Sequence, residues 1–303
     1  MLVPNFNLNN MYLENINLEE LNSKKVNADI LRIDKIHEVV SGNKIFKLKY
    51  YVEDCIKNNY DTILTFGGCY SNHIVASAFA IKELNLKSIG VIRGEKPTEL
   101  SHTLKSAQEY GMQLEFFSRS DYRKKTEKID FLKEKFGDVY IIPEGGSGLL
   151  GIKGAKEILD LVDIEKYTHI LCAMGTGTTY MGIVNSSKKE QIIIGIPVLK
   201  GFSDLLNNED FSSIKEEKKE YCKIFYDYHF GGYAKKNQEL LDTMNNFFRE
   251  TNIKTDFVYT GKLVYAFLDL LKKDYFNKES NVLLIHSGGL QGNLSLKDEL
   301  IFI

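Results

Sequence analysis

The sequence is poor in cysteine and has no long apolar run. Its four cysteines, Cys55, Cys69, Cys172 and Cys222, are widely separated and form no CxxC pair, so neither a zinc site nor a disulfide framework is indicated. A reducing cytoplasm is therefore the expected compartment. No apolar run approaches the length that spans a membrane. The first residues, MLVPNFNLNN, lack the charged and apolar regions of a secretory signal peptide.

The sequence also lacks an excess of charge of either sign. Its formal net charge is −2 at pH 7 and its pI is about 6.3, so it has no basic field that would attract nucleic acid or an anionic membrane. We therefore expect neither as a partner. The 303 residues are 43% hydrophobic, which is enough for a substantial core in one large domain or two smaller ones.

Short β-rich runs alternate with helical patterns along most of the chain. Most of these runs are continuously apolar, which is typical of buried parallel strands with helices on both faces, so the sequence predicts a doubly wound α/β fold. The predicted strands are Thr62–Phe66, Ser88–Ile92, Leu114–Phe117, Val139–Ile142, His169–Ala173, Ile192–Ile196 and Val282–His286. The predicted helices span residues 46–58, 72–84, 98–110, 121–136, 152–162, 179–186, 236–250 and 262–273. Residues 198–235 are expected to form loops with short helices.

Four of the predicted strands run directly into loops of small residues. These loops read TFGGCYSNH, IPEGGSG, AMGTGTTYMG and IHSGG. The carboxyl ends of parallel strands share one edge of a sheet, where ligands bind, and glycine lets the backbone approach a ligand closely. One such loop would be ordinary turn chemistry, but four in matching positions predict a ligand site.

Two lysines stand at an unfavourable place in the stretch SGNKIFKLKY, residues 41–50. Gly42 and Asn43 indicate a turn and a helix cap, and apolar residues then follow at helical spacing. Lys44 and Lys47 therefore lie in the first turn, where the helix dipole disfavours cations by roughly 0.3–1 kcal/mol each. Either they are ordinary exposed lysines, or one is not used as a cation and the other faces a bound anion.

The stretch GTGTTYMG, residues 175–182, follows a predicted strand and opens a predicted helix. Backbone N–H groups at such a helix start, with the hydroxyls of Thr176, Thr178 and Thr179, would hold a phosphate. No GK[ST] follows, and the spacing matches a dinucleotide fingerprint only loosely, so a phosphate is predicted rather than a dinucleotide. The alternative is a tight βα turn that needs glycine for its geometry.

The stretch GGCYSNH, residues 67–73, presents a second helix start. Free N–H groups and side-chain donors at Ser71 and Asn72 suit a carboxylate or a phenolate, although a plain N-cap would use the same residues. His73 is expected on the helix surface, and Cys69 is expected to be a small packing residue.

A lysine, a phosphate loop and an anion loop without a nucleotide signature together suggest pyridoxal 5'-phosphate (PLP). The sequence resembles the fold-type II PLP enzymes, in particular the family of 1-aminocyclopropane-1-carboxylate (ACC) deaminase and D-cysteine desulfhydrase. That family carries GGNKxRKL, an xQSNH/Q loop, a TG-S/T-T phosphate loop, DPVY-E/T-GK and a final H-x-GG. This sequence has SGNKIFKL at 41–48, CYSNH at 69–73, TGTT at 176–179, DFVYTGK at 256–262 and HSGG at 286–289. The matches come in family order and cover nearly the whole chain.

The resemblance implies a role for each matching residue. Lys44 matches the Schiff-base lysine. Asn72 matches the asparagine that hydrogen-bonds the 3'-oxygen of the cofactor, and Ser71 matches the serine beside the substrate, proposed as a nucleophile in ring opening and as a carboxylate contact. The residues that match the phosphate contacts are Lys47, Thr176, Gly177, Thr178 and Thr179.

Four further matches concern the reaction. Tyr259 matches an active-site tyrosine, and Tyr233, in HFGGY, matches a second one. Thr260 falls where the family places the partner of the pyridine nitrogen, and Ser287 precedes the final GG and is expected to contact the cofactor. ACC deaminases carry glutamate and leucine at these last two positions, whereas desulfhydrases carry threonine at both. At these two positions the sequence therefore resembles the desulfhydrases. A neutral hydroxyl suits α-proton removal and loss of a β-group, so both positions favour a desulfhydrase-like β-eliminase that acts on a small amino acid.

Two residues depart from the family pattern. Tyr70 replaces the glutamine of QSN, and Phe46 replaces the arginine of NKxRK. Tyr70 is expected to border the substrate. The alternatives that stay open are an ACC deaminase, a β-replacing synthase, and a protein that binds a phosphate ligand on the same fold without turnover.

The resemblance also implies an architecture and an assembly. The architecture is tryptophan synthase β-like, with two doubly wound α/β domains and the cofactor between them, and the assembly is a homodimer. We expect residues 1–45 and 146–303 to form the large cofactor-binding domain and residues 46–145 to form the small domain. The Pro- and Gly-containing stretch PEGGSGLL, residues 143–150, marks the predicted break.

Overall fold

The computed structural model describes residues 13–202, 209–212, 214 and 216–303, whose strands form two sheets. The strands are β1 (Leu13–Asn15), β2 (Asn27–Leu31), β3 (Thr62–Gly68), β4 (Lys87–Arg93), β5 (Gln113–Phe117), β6 (Tyr140–Ile142), β7 (His169–Met174), β8 (Ile192–Pro197), β9 (Cys222–Ile224) and β10 (Asn281–Ile285). The larger sheet has six strands in the order β1-β2-β10-β7-β8-β9, and the smaller sheet has four in the order β5-β4-β3-β6.

Helices connect the strands and cover both sheets. They are α1 (Glu19–Lys24), α2 (Asn43–Lys57), α3 (Asn72–Glu83), α4 (His102–Glu109), α5 (Arg119–Arg123), α6 (Ile129–Phe136), α7 (Leu149–Lys156), α8 (Thr178–Ser186), α9 (Glu209–Ser212), α10 (Glu216–Lys219), α11 (Gln238–Thr251) and α12 (Thr260–Lys272). Among the described residues, no helix combines the length and the apolar character that crossing a membrane requires.

The six-stranded sheet is buried on both faces. All of its strand pairs are parallel except β1 with β2. Along β7, Ile170 and Cys172 pack on one face with residues of α2, α7 and α8, whereas Leu171 and Ala173 pack on the other face with residues of α12. Because successive side chains of a strand point to opposite faces, a strand covered on both sides reads as a continuous apolar run. This explains the HILCAM pattern of β7.

The four-stranded sheet is parallel throughout and has its own apolar cores. On one side, Leu64 and Val91 pack with Leu132 of α6. On the other side, Ile74 of α3 packs with Leu104 of α4. The α/β fold class predicted from the sequence is therefore confirmed. The domain bounds stay a prediction, although the strands of the smaller sheet all come from residues 62–142.

Most elements agree with the predicted pattern, but the helix α1 was not predicted, and the helix predicted over residues 152–162 lies at Leu149–Lys156. Each of the seven predicted strands is present, with its ends shifted by at most two residues. The sequence missed the short strands β1, β2 and β9. The single helix predicted over residues 121–136 is wrong, because the chain forms α5 and α6 with turns over 124–128 between them. Within the region expected to hold loops and short helices, residues 203–208, 213 and 215 lie outside the described residues.

Candidate active site

The segment that carries the two lysines begins with a tight contact between distant parts of the chain. Gly42 has φ +66, and a Cβ built there would lie 1.9 Å from the backbone oxygen of Ser287, so only glycine fits. The backbone N–H of Asn43 donates to the same Ser287 oxygen at 3.3 Å. The predicted cap is wrong, because α2 has Gly42 as its N-cap and the Asn43 side chain donates to the hydroxyl of Thr179 at 2.7 Å.

Lys44 lies in the first turn of α2 and lines a cavity of about 650 Å³. Its Nζ donates to Oδ1 of Asn43 at 2.6 Å, and Asn43 in turn contacts Thr179, so the amine is connected to the predicted phosphate loop. Burial lowers the pKa of Lys44 from its ordinary value of 10.5 to about 8, against the opposing effect of Asp256. A pKa of about 8 leaves about a tenth of this amine uncharged at pH 7, and the uncharged form is the one that acts as a nucleophile or base.

Lys262 is a fully buried lysine, and burial lowers its pKa to about 8 as well. It does not line the cavity, and its Nζ donates to the backbone oxygens of His229 at 2.9 Å and Gly232 at 2.8 Å. A buried ammonium held by two carbonyls stabilises the local fold. Lys44 is therefore the better candidate for covalent chemistry.

Lys47 lies one turn after Lys44 and is 3% exposed. Its Nζ lies 3.3 Å from the hydroxyl of Thr176, which lies 2.9 Å from the hydroxyl of Thr178. The cation thus sits beside the loop that opens α8. The backbone N–H groups at the start of this nine-residue helix, together with a cation and hydroxyls, form a set of groups suited to a phosphate.

Two other loops bring the predicted anion-binding residues to the cavity. Ser71 is the N-cap of α3 and accepts from the backbone N–H of Ile74, and Asn72 is the first residue of that helix. Ser71, Asn72 and Ser287 all line the cavity. The loops after β3, β6, β7 and β10, which the sequence predicts at one shared edge, each contribute residues to this cavity.

Two tyrosines predicted from the family pattern also line the cavity. The rings of Tyr233 and Tyr259 pack edge to face, with centroids 6.1 Å apart. Nζ of Lys44 lies 5.9 Å from the centroid of the Tyr259 ring. Burial raises the pKa of both phenols above their ordinary value, so both stay protonated at neutral pH.

His73 was expected on the helix surface, and this prediction is wrong. It is 2% exposed and lines the cavity. Its Nε2 lies 2.8 Å from the hydroxyl of Thr65, which donates its own proton to the backbone oxygen of Ile142 at 2.9 Å, so Nε2 carries the proton. Burial, aided by the charges of Lys44 and Lys47, holds the pKa of His73 well below 6.5. The ring is therefore neutral. The sequence analysis did not predict the burial of His73, because that burial depends on contacts with the four-stranded sheet.

Thr260 and Thr178 do not line the cavity, although the family pattern assigns both to the cofactor. The hydroxyl of Thr260 donates to Oδ1 of Asp256 at 2.7 Å. Asp256 also accepts from the backbone N–H groups of Val258, Tyr259 and Thr260 at 2.8–2.9 Å. The Asp256 carboxylate therefore caps the start of α12, and the hydroxyl of Thr260 is held by it rather than lining the cavity.

The two departures from the family pattern lie away from the cavity. Tyr70 is 54% exposed, with its ring 5.8 Å from that of His102, and it does not line the cavity; its contact with the substrate stays a prediction. Phe46 is 6% exposed and packs in the core beneath the six-stranded sheet. Neither replacement changes the groups that face the site.

The fold and this cavity define a pyridoxal-phosphate dependent enzyme. The chain matches the family described as "Pyridoxal-phosphate dependent enzyme" over residues 17–288, and it belongs to that family.

Relatives narrow the group within the family. The chain is 31% identical, over 90% of its length and 91% of the relative's, to a Thermotoga maritima protein provisionally named 1-aminocyclopropane-1-carboxylate deaminase. It is 28% identical, over 86% of its length and 72% of the relative's, to the mitochondrial bifunctional D-cysteine desulfhydrase/1-aminocyclopropane-1-carboxylate deaminase of Arabidopsis thaliana. The crystal structure of an ACC deaminase homologue superposes with a TM-score of 0.81 at 26% identity, covering 97% of this chain and 92% of the other.

The residues that line the cavity fit PLP. The cofactor needs a lysine amine for its aldehyde and a cradle for its phosphate. Lys44 supplies a partly buried amine with a lowered pKa, and Lys47 with the Thr176 hydroxyl and the start of α8 supplies the cradle. The Asn43 side chain joins the two, because it contacts both Lys44 and Thr179.

Proposed function

We propose that the protein removes a β-substituent from a small amino acid and releases a keto acid, ammonia and the leaving group, as a desulfhydrase does with cysteine. The observation that carries this proposal is the neutral hydroxyl of Ser287 at the cavity wall. This hydroxyl has no hydrogen-bond partner among the described residues, so it is available to the pyridine nitrogen of PLP. Asp256 lies behind Gly289, does not line the cavity, and is occupied by three backbone N–H groups and Thr260.

A neutral partner at this nitrogen favours one reaction over another. PLP supplies an electron-withdrawing ring to an amino acid attached to it. A carboxylate beside the ring nitrogen would keep that nitrogen protonated and strengthen the withdrawal, which the opening of a cyclopropane without an α-hydrogen requires. A hydroxyl suffices when an α-proton is removed and a β-group leaves at once.

The residues of this chain divide the work of that reaction. Lys44 holds the cofactor and then, as a free amine, takes the α-proton of the substrate; its lowered pKa suits it to this task near neutral pH. Lys47 and the Thr176 loop hold the phosphate. Asn72 holds the 3'-oxygen of the cofactor, and Ser71, at the start of the twelve-residue helix α3, holds the substrate carboxylate.

A panel of small amino acids tests the proposal. Purified holoenzyme is incubated with D-cysteine, L-cysteine, D-serine or ACC, and keto acid and sulfide are measured. We expect one cysteine enantiomer to give keto acid and sulfide at least about 10-fold faster than ACC gives keto acid. Faster turnover of ACC would assign the protein as an ACC deaminase instead, and no keto acid from any of the four would support a protein that binds a phosphate ligand without turnover.

The lowered pKa of Lys44 predicts how cofactor capture depends on pH. Only the uncharged amine attacks the aldehyde of PLP, so the rate at which the protein freed of cofactor binds PLP covalently should rise with pH and level off above about 8. Asp256 raises this pKa, so Asp256→Asn should move the rise to lower pH. Stopped-flow absorbance over pH 6–10 measures the curve.

The control for that experiment is Asp242→Asn, which removes an exposed carboxylate of α11 whose side chain accepts from Gln238. Its curve should match that of the unaltered protein. A rise centred near the ordinary lysine value of 10.5, or no difference between the two variants, would contradict the assignment of Lys44.

A further inference from the structure

Two cations line the cavity on the side formed by the four-stranded sheet, and the proposed reaction does not use either of them. Arg93 is the last residue of β4, and Lys125 lies between α5 and α6. Both lie against the ring of the buried Tyr122: the guanidinium carbon of Arg93 is 5.9 Å from its centroid, and Nζ of Lys125 is 4.9 Å from it. We call Arg93, Lys125 and Tyr122 the Tyr122 platform.

The charge of the platform is only partly compensated. Lys125 pairs with Glu144, which also lines the cavity, at 3.2 Å. No carboxylate of the described residues lies within 4 Å of the Arg93 guanidinium. Arg93 is exposed, and it lines both this cavity and a neighbouring one of about 690 Å³. Among the described residues, the Arg93 guanidinium therefore forms no ion pair, and the nearby acid Glu144 is paired with Lys125.

The guanidinium lies close to groups that the proposed reaction uses. Its Nη2 is 3.5 Å from the position that a Cβ on Gly68 would occupy, so it packs against the end of β3, just before the loop that carries Ser71. Its charge also lowers the pKa of Tyr233, which burial otherwise raises. Arg93 thus packs beside the end of β3, and like Ser71 and Tyr233 it lines the cavity.

The anions of the proposed reaction already have partners elsewhere. The phosphate of PLP has Lys47 and the Thr176 loop, and the α-carboxylate has the start of α3. A planar guanidinium binds an oxyanion through two parallel N–H groups, which gives direction as well as affinity. Arg93 could therefore bind a further anion, but a small amino acid such as cysteine has no second anionic group to offer it.

Because the proposed reaction leaves the Arg93 guanidinium unused, we propose that the amino-acid substrate carries a second acidic group, an oxyanion on its β-substituent. Arg93 binds this oxyanion. This inference rests on the proposed function, since it names the substrate class of the same site. With O-phosphoserine, for example, Lys44 takes the α-proton, the bond from Cβ to oxygen breaks, and phosphate leaves with the bonding electron pair. Water then completes the conversion of the remaining three-carbon unit to keto acid and ammonia.

Matched pairs of amino acids test the inference without requiring turnover. Aspartate and asparagine have nearly the same shape and differ in one charge. Each enantiomer is titrated into the holoenzyme, and binding is read from the change in absorbance of the bound cofactor. We expect aspartate to bind about 10-fold more tightly than asparagine, because a charge-assisted hydrogen bond to a guanidinium is added.

Three variants separate the sources of that preference. Arg93→Gln should remove the preference for aspartate while the affinity for asparagine stays the same, and Arg93→Lys should retain part of it. Arg123→Gln, which alters an exposed arginine of the neighbouring cavity, should change neither affinity. Circular dichroism checks that each variant is folded. Turnover of O-phosphoserine, measured as phosphate release, should fall about 10-fold in Arg93→Gln, whereas turnover of serine should not.

The contrary outcomes are distinct from one another. Equal weakening of aspartate and asparagine in Arg93→Gln would show that Arg93 holds the α-carboxylate, and it would overturn the inference. A loss of preference in Arg123→Gln would place the acid in the neighbouring cavity and would overturn it too. If asparagine changes the absorbance and aspartate binds no better, the inference fails while the proposed function stands. If no amino acid changes the absorbance, the proposed function fails, and this inference fails with it.

Discussion

Replacing Lys44 with alanine is expected to abolish the covalent attachment of PLP and to reduce turnover by at least about 10³-fold. The substitution removes the amine that bonds to the aldehyde and also the base that takes the α-proton, and a positioned base alone contributes roughly 10²–10⁴-fold. The measurement is borohydride reduction of the holoenzyme followed by peptide mass analysis. The unaltered protein should carry the reduced cofactor on the peptide that contains Lys44, and the variant should carry none.

The matched control is Lys49→Ala on the same helix. Lys49 is partly exposed and pairs with Glu157 at 2.7 Å, outside the cavity residues. A surface ion pair of this kind contributes about 0–1 kcal/mol to stability, so this variant should fold, bind PLP and turn over nearly normally. Normal turnover by Lys44→Ala, or reduced cofactor on another lysine of the unaltered protein, would contradict the assignment.

Replacing Gly42 with alanine is expected to lower the free energy of unfolding by about 2–5 kcal/mol and to impair PLP binding. The left-handed backbone at φ +66 costs a side-chain-bearing residue about 1–2 kcal/mol, and the new Cβ would lie 1.9 Å from the Ser287 oxygen, so the backbone must move. That movement separates the start of α2 from the loop that carries Ser287. Urea unfolding and the cofactor content of the purified variant are the measurements.

Gly111→Ala isolates the effect of the clash. Gly111 also has a left-handed backbone, with φ +86, but a Cβ there would meet nothing within 4 Å. It should therefore cost only the conformational penalty of about 1–2 kcal/mol and leave PLP binding unchanged. Equal losses of unfolding free energy in the two variants would show that the clash with the Ser287 oxygen does not destabilise the protein.

Much of the fold was predictable because most of its strands are buried on both faces. The apolar runs of β3, β7 and β10 have no polar alternation, which separates parallel strands from surface ones. The strands that escaped prediction are of a different kind. β1 and β9 are three-residue strands at the edges of the larger sheet, and β2 carries Asn27 and Asp29 among its apolar residues. Their pairing depends on neighbours that are remote in sequence.

The site was predictable where a local motif fixes both the backbone and the side chain. The glycine–threonine loop before α8 and the lysine stretch at the start of α2 are of this type, and the structure brings them into contact. His73, Thr260 and Arg93 were not foreseen in their observed surroundings. His73 is buried by its contact with Thr65, Thr260 is occupied by Asp256 four residues earlier, and Arg93 gains its place only when β3 and β4 pair. These are tertiary effects that no short stretch encodes.

The place of β10 in the larger sheet has a consequence for biosynthesis. This strand lies between β2 and β7, and the loop that follows it contacts Gly42. During translation, β2 and β7 therefore each keep one unpaired edge until residues 281–289 have emerged from the ribosome. The contiguous segment of residues 62–142 can assemble its sheet well before that moment. A nascent chain that stalls before residue 281 thus exposes two apolar strand edges and lacks the Ser287 backbone against which the start of α2 packs.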